Sequence, residues 1–268
     1  MPRESGRQAI RDVLAEFDPV RSAGKRLMSN ILDAHVGAYE GNNIYDFDNS
    51  ILLNWYPKRI LDLAPNTVSL LELGLGHGYS TPLFSRAIPR HVVLEGSPAV
   101  IANFRKASPE CRAEIIETYF ETFAGNERFD VVVMGFILEH VDDPSEILAR
   151  YRQFLKPRGT LFVAVPNMES MNRRLGHLAG LLPDLHALSE NDLLLGHKRY
   201  YTVDSLKAEL RDAGYEVERV EGIYLKPVTT RQMISLDLGA NVIEALCKLG
   251  LDYPELSCGI MAQAKDAG

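Results

Sequence analysis

The chain has 268 residues, which is room for one large domain or for one domain with an elaborated lid. Hydrophobic residues make up 46% and charged residues 24%, as in an ordinary soluble globular protein, and no apolar run approaches the roughly 18 residues of a membrane span. The formal net charge of −7, without a long basic run, disfavours a nucleic-acid partner, because phosphate backbones are bound by clustered Lys and Arg.

The cysteines and the N-terminus predict a cytoplasmic protein. The three cysteines, Cys111, Cys247 and Cys258, form no CxxC pair, so we predict neither a disulfide framework nor a metal site. The first 17 residues alternate charged and apolar positions and lack the apolar core of a signal peptide.

Residues 1–64 are predicted to form an N-terminal helical cap, because apolar residues recur at helical spacing. A polar, aromatic stretch, YEGNNIYDFDNS, contains turn residues and precedes a helix that ends near Pro65. The apolar positions of these helices are Ala9, Ile10, Val13, Leu14, Phe17, Leu27, Ile31, Leu32, Ile51, Leu52, Trp55, Ile60 and Leu61.

From residue 65 to 268, short apolar strands alternate with amphipathic helices, which predicts an α/β, Rossmann-like domain with five parallel strands and two closing strands. Helix starts are predicted near Thr81, at Ser97-Pro98, at Asp143-Pro144 and at Thr202. Helical inserts are predicted at about 167–201 and 227–256, the second as one helix from about Met233 to Lys248. The predicted strands read VSLLEL, HVVLE, AEIIE, DVVVMG, TLFVAV, EVERVEGIYL and CGIMAQAK.

A glycine-rich turn follows the first strand. Its spacing is G-x-G-x-G, at Gly74, Gly76 and Gly78, and Tyr79 occupies the last glycine position of the dinucleotide fingerprint. Glu72 stands two residues before the first glycine, where it would repel pyrophosphate and attract a cationic amine. S-adenosylmethionine carries an amine and a sulfonium, so the turn favours this cofactor over a nicotinamide dinucleotide; a tight turn without a ligand is the alternative.

The second strand ends in Glu95. A carboxylate at the end of this strand can accept hydrogen bonds from both hydroxyls of a ribose, which either cofactor contains. The alternative is a surface carboxylate that precedes a helix N-terminus.

The motifs LLELGLGHGYST, VVLEGS, FDVVVMGFILEHVDDP and LKPRGTLFVAVPN together resemble those of class I S-adenosylmethionine-dependent methyltransferases, in particular bacterial small-molecule members with the LEHV segment. The resemblance resumes at GHKRYYTVDSLKAELRDAGYEVERV. It implies the seven-stranded methyltransferase sheet with helices on both faces, an N-terminal helical extension and helical lid inserts. The YDFDN segment and the tail from Gly222 resemble a bacterial subset found near surface-polysaccharide or secondary-metabolite genes.

The resemblance also implies a set of cofactor-binding residues. The glycine turn and the end of strand four would face the methionine part, Glu95 the ribose, and an aromatic ring the adenine, where many members have Asp instead. The implied set comprises Tyr45, Glu72, Gly74, Gly76, Gly78, Glu95, Gly96, Tyr119, Phe120, Gly135 and Phe136.

Methyl transfer to a hydroxyl needs a base, whereas an amine needs only to be neutral. His140 in LEHV and His197 in GHKRYY are the candidate catalytic residues, with structural histidines as the alternative for each. His77 in the glycine turn is interpreted as a loop residue. Four basic residues flank the lid and could bind an anionic acceptor such as a nucleotide-linked sugar, or could simply be solvated: Arg173, Arg174, Lys198 and Arg199.

The predicted function is therefore S-adenosylmethionine-dependent O-methylation of a sugar-like or secondary-metabolite hydroxyl, on a small-molecule partner that is anionic or sugar-linked. An N-methyltransferase acting on a small amine, an NAD-dependent oxidoreductase and an inactive metabolite-binding module stay open as alternatives. No nucleic-acid or membrane partner is expected, and the sequence leaves a homodimer open.

Overall fold

The computed structural model describes Leu32 and residues 44–268. The predicted apolar helix faces from Ala9 to Phe17 and from Leu27 to Ile31 lie outside the described residues. Within the described part of the chain, no helix is long and apolar enough to cross a membrane.

Seven strands form one sheet in the order β3-β2-β1-β4-β5-β7-β6. The strands β1 to β5 are parallel, and β7 runs antiparallel to both β5 and β6. This arrangement confirms the predicted methyltransferase sheet with its five parallel and two closing strands. The strands are β1 (Ser69–Leu73), β2 (Arg90–Glu95), β3 (Glu114–Glu117), β4 (Phe129–Gly135), β5 (Leu155–Pro166), β6 (Tyr215–Ile223) and β7 (Gly259–Asp266).

The helices alternate with these strands, and four of them lie in the two predicted inserts. A 3-10 turn, Arg152–Phe154, leads into β5. The helices are α1 (Asp46–Leu63), α2 (Ser80–Ala87), α3 (Pro98–Ala107), α4 (Pro144–Tyr151), α5 (Met171–Leu178), α6 (Glu190–Leu194), α7 (Val203–Asp212), α8 (Thr230–Ser235) and α9 (Ala240–Gly250).

The predicted caps are present at three helix starts. Ser97 accepts a hydrogen bond from the Val100 backbone at 3.1 Å, and Asp143 accepts one from Glu146 at 3.0 Å. Thr202 forms a reciprocal capping box. Each bond satisfies a backbone N–H that the first turn of a helix leaves unpaired.

Three element boundaries differ from the prediction. The first described helix begins at Asp46, inside the stretch predicted as turns, because acidic side chains favour the first turn of a helix. The strand β5 begins at Leu155, and the predicted turn before it is a bulge with Arg158 at φ +67°. The second insert contains two helices rather than one, since Asp237 takes φ +47° between them.

Both faces of the sheet are covered. One cluster packs α4 and α7 against inward-facing strand residues, and a second packs α1, α2, α8 and α9 against the opposite face. Full burial of one large side chain such as Phe84 or Phe162 contributes about 1.5–3 kcal/mol. The helices leave the carboxyl ends of the parallel strands open, which is where ligands bind in such sheets.

Candidate active site

A cavity of about 1110 Å³ opens at the carboxyl ends of the parallel strands. Small-molecule sites usually measure about 300–1,000 Å³, so this one has room for two ligands side by side. With one exception, Glu72, the residues predicted to bind a cofactor line this cavity: Tyr45, Gly74, Gly76, Gly78, Glu95, Gly96, Tyr119, Phe120, Gly135 and Phe136.

The glycine turn between β1 and α2 forms one wall. Gly74, Gly76 and Gly78 have φ of +79°, +49° and +76°, a region that disfavours residues with a Cβ. A Cβ on Gly74 would lie 2.7 Å from Ile137 Cδ1, whereas one on Gly76 would meet no atom within 4 Å. The backbone at Gly76 therefore faces open space, as a close-fitting ligand requires.

Glu72 lies behind this wall. Its carboxylate accepts hydrogen bonds from the Ser80 and Thr81 hydroxyls, the latter at 2.8 Å, and lies 3.0 Å from His91 Nε2. The side chain is buried and is not among the described residues that line the cavity. It holds the start of α2, so the geometry does not support the predicted contact between Glu72 and a cationic amine.

Glu95 is buried at the end of β2 and does line the cavity. Its two oxygens accept hydrogen bonds from the Leu75 backbone at 3.0 Å and the Ser97 backbone at 2.8 Å. These bonds tie the glycine turn to the start of α3 and fix the orientation of the carboxylate. Its position suits a partner with hydroxyl groups.

The end of β4 forms another part of the cavity wall. Phe136 has φ +58°, a strained conformation for a residue with a side chain, and its ring lies edge-on to Tyr56 at 5.8 Å. A Cβ on Gly135 would collide with the Tyr56 hydroxyl, so only glycine allows α1 to pack here. Burial first, and then the charges of Glu72 and Glu139, raise the pKa of Tyr56.

Two histidines meet across the cavity rim. The rings of His140 and His197 lie 4.7 Å apart in an edge-to-face arrangement, and both line the cavity. The Lys198 backbone donates a hydrogen bond to the Glu139 carbonyl at 2.8 Å, which joins the loop after β4 to the segment before α7. This bond brings together two candidates that are 57 positions apart in the sequence.

Asp192 on α6 lies beside His197. Its Oδ1 is 3.1 Å from His197 Nδ1, an ion-pair distance without the alignment of a hydrogen bond, while the His197 backbone donates to the Asp192 carbonyl at 2.8 Å. The other carboxylate oxygen accepts hydrogen bonds from the Ser189 and Tyr200 hydroxyls. Burial lowers the pKa of His197, but the carboxylates of Asp192 and Glu139 outweigh it, and the pKa is raised above its usual 6.5. Sequence reasoning missed Asp192, because no motif surrounds it.

Glu139 lies beside this pair. Its carboxylate is completely buried, and neither oxygen has a hydrogen-bond partner among residues 44–268. Burial raises its pKa to about 7, although the neighbouring His197 lowers it. Ligand atoms of Glu139, His140 and His197 all lie within 4.8 Å of one another, a spacing that a metal ion could bridge.

The four basic residues that flank the lid are bonded to the protein itself. The Arg173 guanidinium lies 4.4 Å over the Tyr200 ring and donates to three backbone carbonyls. Arg174 pairs with Glu169, and Lys198 with Asp142. Arg199 donates to the carbonyls of the loop after β4. These bonds hold the lid together and engage the positive charges within the protein, although Arg173 and Lys198 also line the cavity.

Comparison with known proteins agrees with this geometry. The family model described as a methyltransferase domain matches residues 10–220. A ubiquinone biosynthesis O-methyltransferase from Pseudomonas savastanoi is 26% identical over 197 residues, which are 72% of this chain and 82% of that protein.

Two solved structures share the fold. A Thermotoga maritima methyltransferase, described as a possible histamine N-methyltransferase, has a TM-score of 0.60 at 17% identity and covers 89% of this chain and 99% of its own. The Bradyrhizobium japonicum N-methyltransferase NodS, solved with S-adenosyl-L-homocysteine, has a TM-score of 0.57 at 13% identity, with coverage of 89% and 100%.

Proposed function

The chain belongs to the class I S-adenosylmethionine-dependent methyltransferases, and on this premise we propose that it methylates a hydroxyl group of a small molecule with His197 as the general base. S-adenosylmethionine is the methyl donor of this family. When bound, it supplies a methyl group on a positively charged sulfur, so the leaving group is already activated.

In this proposal the glycine turn holds the methionine part of the cofactor and Glu95 accepts hydrogen bonds from the ribose hydroxyls. The open space at Gly76 and the fixed carboxylate of Glu95 support this placement. Tyr119 and Phe120 line the same cavity and cover the adenine. Tyr45 closes over the methionine part from the N-terminal side.

The arrangement of Asp192 and His197 carries the proposal of a hydroxyl acceptor. Asp192 Oδ1 lies 3.1 Å from Nδ1, close enough to stabilise a charge on the ring, and Nε2 is then the nitrogen that takes the proton of the acceptor hydroxyl. The carboxylate then stabilises the imidazolium that forms, as in other oriented histidine bases. His140, packed edge-on against the ring, restricts its rotation. An amine nucleophile would need none of these groups.

Replacement of His197 tests this base. We expect His197→Ala to lower turnover about 100-fold or more while the affinity for S-adenosylhomocysteine stays within about two-fold. His177→Ala is the matched control, because His177 lies on the lid, bonds the Leu182 carbonyl at 2.8 Å and does not line the cavity. Normal turnover by His197→Ala would overturn base catalysis and favour an amine acceptor.

A further inference from the structure

A buried ion pair joins α1 to the segment that follows β6. Lys226 Nζ donates hydrogen bonds to Asp48 Oδ2 at 2.6 Å and to Thr230 Oγ1 at 3.1 Å. The Thr230 hydroxyl in turn donates to the same oxygen of Asp48. All three residues are buried, with 5–7% of their surface exposed, and all three line the cavity. Neither the family nor the proposed base accounts for this cluster.

A second ion pair joins α1 to β6 itself and serves as a structural pair for comparison. Arg59 on α1 donates two hydrogen bonds to Glu221 on β6, at 2.7 and 2.8 Å, and Arg219 donates a third at 3.2 Å. Both oxygens of Glu221 are therefore occupied, and neither Arg59 nor Glu221 lines the cavity. The fold alone explains this pair.

The pair in the cavity is not saturated in this way. Asp48 Oδ1 is buried and has no hydrogen-bond partner among the residues that the structure describes. The Lys226 ammonium has three N–H donors, and its described hydrogen bonds use two of them. A buried polar atom without a partner is costly, so a carboxylate oxygen left in this state points to a partner that arrives with a ligand.

The pair lies on the acceptor half of the cavity. The glycine turn and Glu95 follow β1 and β2, whereas Lys226 follows β6, on the other side of β4 in the sheet. Cys258, which lines the same wall, precedes Gly259, and a Cβ on Gly259 would lie 3.2 Å from the Phe136 ring. Lys226 and Cys258 therefore line the cavity on the β6 side of β4, and the glycine turn and Glu95 line it on the β1 and β2 side.

The charge of the pair selects the kind of group that binds. Burial lowers the pKa of Lys226, but Cys258 and Asp48 raise it by more than burial lowers it. The pKa is therefore raised overall, and the ammonium stays protonated at neutral pH. Its charge is already balanced by Asp48, and an anion would be repelled by the unpaired carboxylate oxygen. A hydroxyl suits both groups, because it can donate to Asp48 Oδ1 and accept from Lys226 Nζ.

We propose that Asp48, Lys226 and Thr230 form an acceptor-binding subsite that holds a hydroxyl of a neutral, polyhydroxylated methyl acceptor. The inference rests on the proposed function, since it locates the acceptor of the same reaction. It replaces the anionic acceptor expected from the lid residues, whose positive charges are engaged elsewhere.

Binding to the enzyme saturated with S-adenosylhomocysteine tests the subsite. The neutral probes are methyl α-D-glucopyranoside, methyl α-L-rhamnopyranoside and catechol; the anionic probes are glucuronate and glucose 6-phosphate. Saturation-transfer NMR measures their affinities for the wild type, Asp48→Asn, Lys226→Met and the milder Thr230→Val. The control is Glu221→Gln, which weakens the neighbouring structural pair between α1 and β6.

We expect at least one neutral probe to bind the wild type and to bind about ten-fold or more weakly to Asp48→Asn and Lys226→Met, with Glu221→Gln unchanged. Thr230→Val, which keeps the ion pair, should show a smaller loss in the same direction. Preferential binding of the anionic probes, an equal loss in Glu221→Gln, or no binding of any neutral probe would overturn the subsite.

The affinity for S-adenosylhomocysteine, measured by calorimetry on the same samples, separates two failures. A wild-type protein that does not bind it would contradict the methyltransferase proposal itself. Normal binding with no response of the neutral probes would contradict only the subsite. A loss of S-adenosylhomocysteine affinity in Asp48→Asn and Lys226→Met would assign the pair to the cofactor and overturn its role toward the acceptor.

Discussion

Substitution of Gly76 by alanine separates backbone strain from ligand contact. Gly76 has φ +49° and open space where a Cβ would be. An alanine at this position would therefore adopt a left-handed backbone conformation but would collide with no protein atom. That conformation costs alanine about 1–2 kcal/mol of stability, partly offset by the reduced freedom of the unfolded chain. The new methyl group also projects into the cavity wall. If the cofactor lies against this backbone, overpacking by one methyl costs about 1–3 kcal/mol of binding.

Gly180 is the matched control. It also has a positive φ, +71°, and open space around its Cβ position, but it lies on the lid and does not line the cavity. We expect both variants to lose similar stability in urea unfolding. Only Gly76→Ala should also lose affinity for S-adenosylhomocysteine in calorimetry, by about ten-fold to a hundred-fold. Wild-type affinity in Gly76→Ala would refute the placement of the cofactor on the glycine turn.

Four further predictions test the site. Glu95→Ala should weaken S-adenosylhomocysteine binding by about 1–3 kcal/mol in calorimetry. An unchanged affinity would show that Glu95 only ties the glycine turn to α3 and does not contact the cofactor. Asp192→Asn removes a charge that raises the pKa of His197, so the acidic limb of the kcat/KM profile should move to lower pH; an unmoved limb would exclude His197 as the base. The pKa of Glu139, raised from 4.5 to about 7, makes wild-type stability fall as the pH rises from 4.5 to about 7 and leaves the full loss in place above it. Glu139→Gln should therefore unfold at higher urea concentration than the wild type at pH 8, by at most about 3 kcal/mol, and equal stability would contradict a buried charge. Added Zn²⁺ should inhibit turnover by binding the His140–His197 cluster and EDTA should not, whereas activation by the metal would contradict a free imidazole base.

The strands and most helix starts could be predicted because their signals are local. A strand such as β4 is a short apolar run between polar turns, and a cap such as Ser97 needs only its own next turn. The break between α8 and α9 gives no comparable signal. It depends on a left-handed Asp237, a conformation that the residue type permits but does not require.

The residues of the site also differ in how far the sequence alone could predict them. The glycine turn, Glu95 and His140 belong to contiguous motifs, and their residues indicate the chemistry directly. The contacts of Asp192 with His197 and of Asp48 with Lys226 depend on how an insert and a helix dock onto the sheet; the second joins positions 178 residues apart. The prediction for Glu72 considered only the charge of the side chain. It did not consider the hydroxyls of Ser80 and Thr81, which donate hydrogen bonds to the Glu72 carboxylate.

Transfer of a labelled methyl group tests the central claim most directly. The purified enzyme is incubated with trideuteromethyl S-adenosylmethionine and with neutral glycosides and catechols, and the products are identified by mass spectrometry and NMR. We predict a labelled methyl ether on one hydroxyl, formed together with S-adenosylhomocysteine, and its loss in His197→Ala but not in His177→Ala. Label found on nitrogen, or a methyl ether that His197→Ala forms at the wild-type rate, would contradict base-assisted O-methylation.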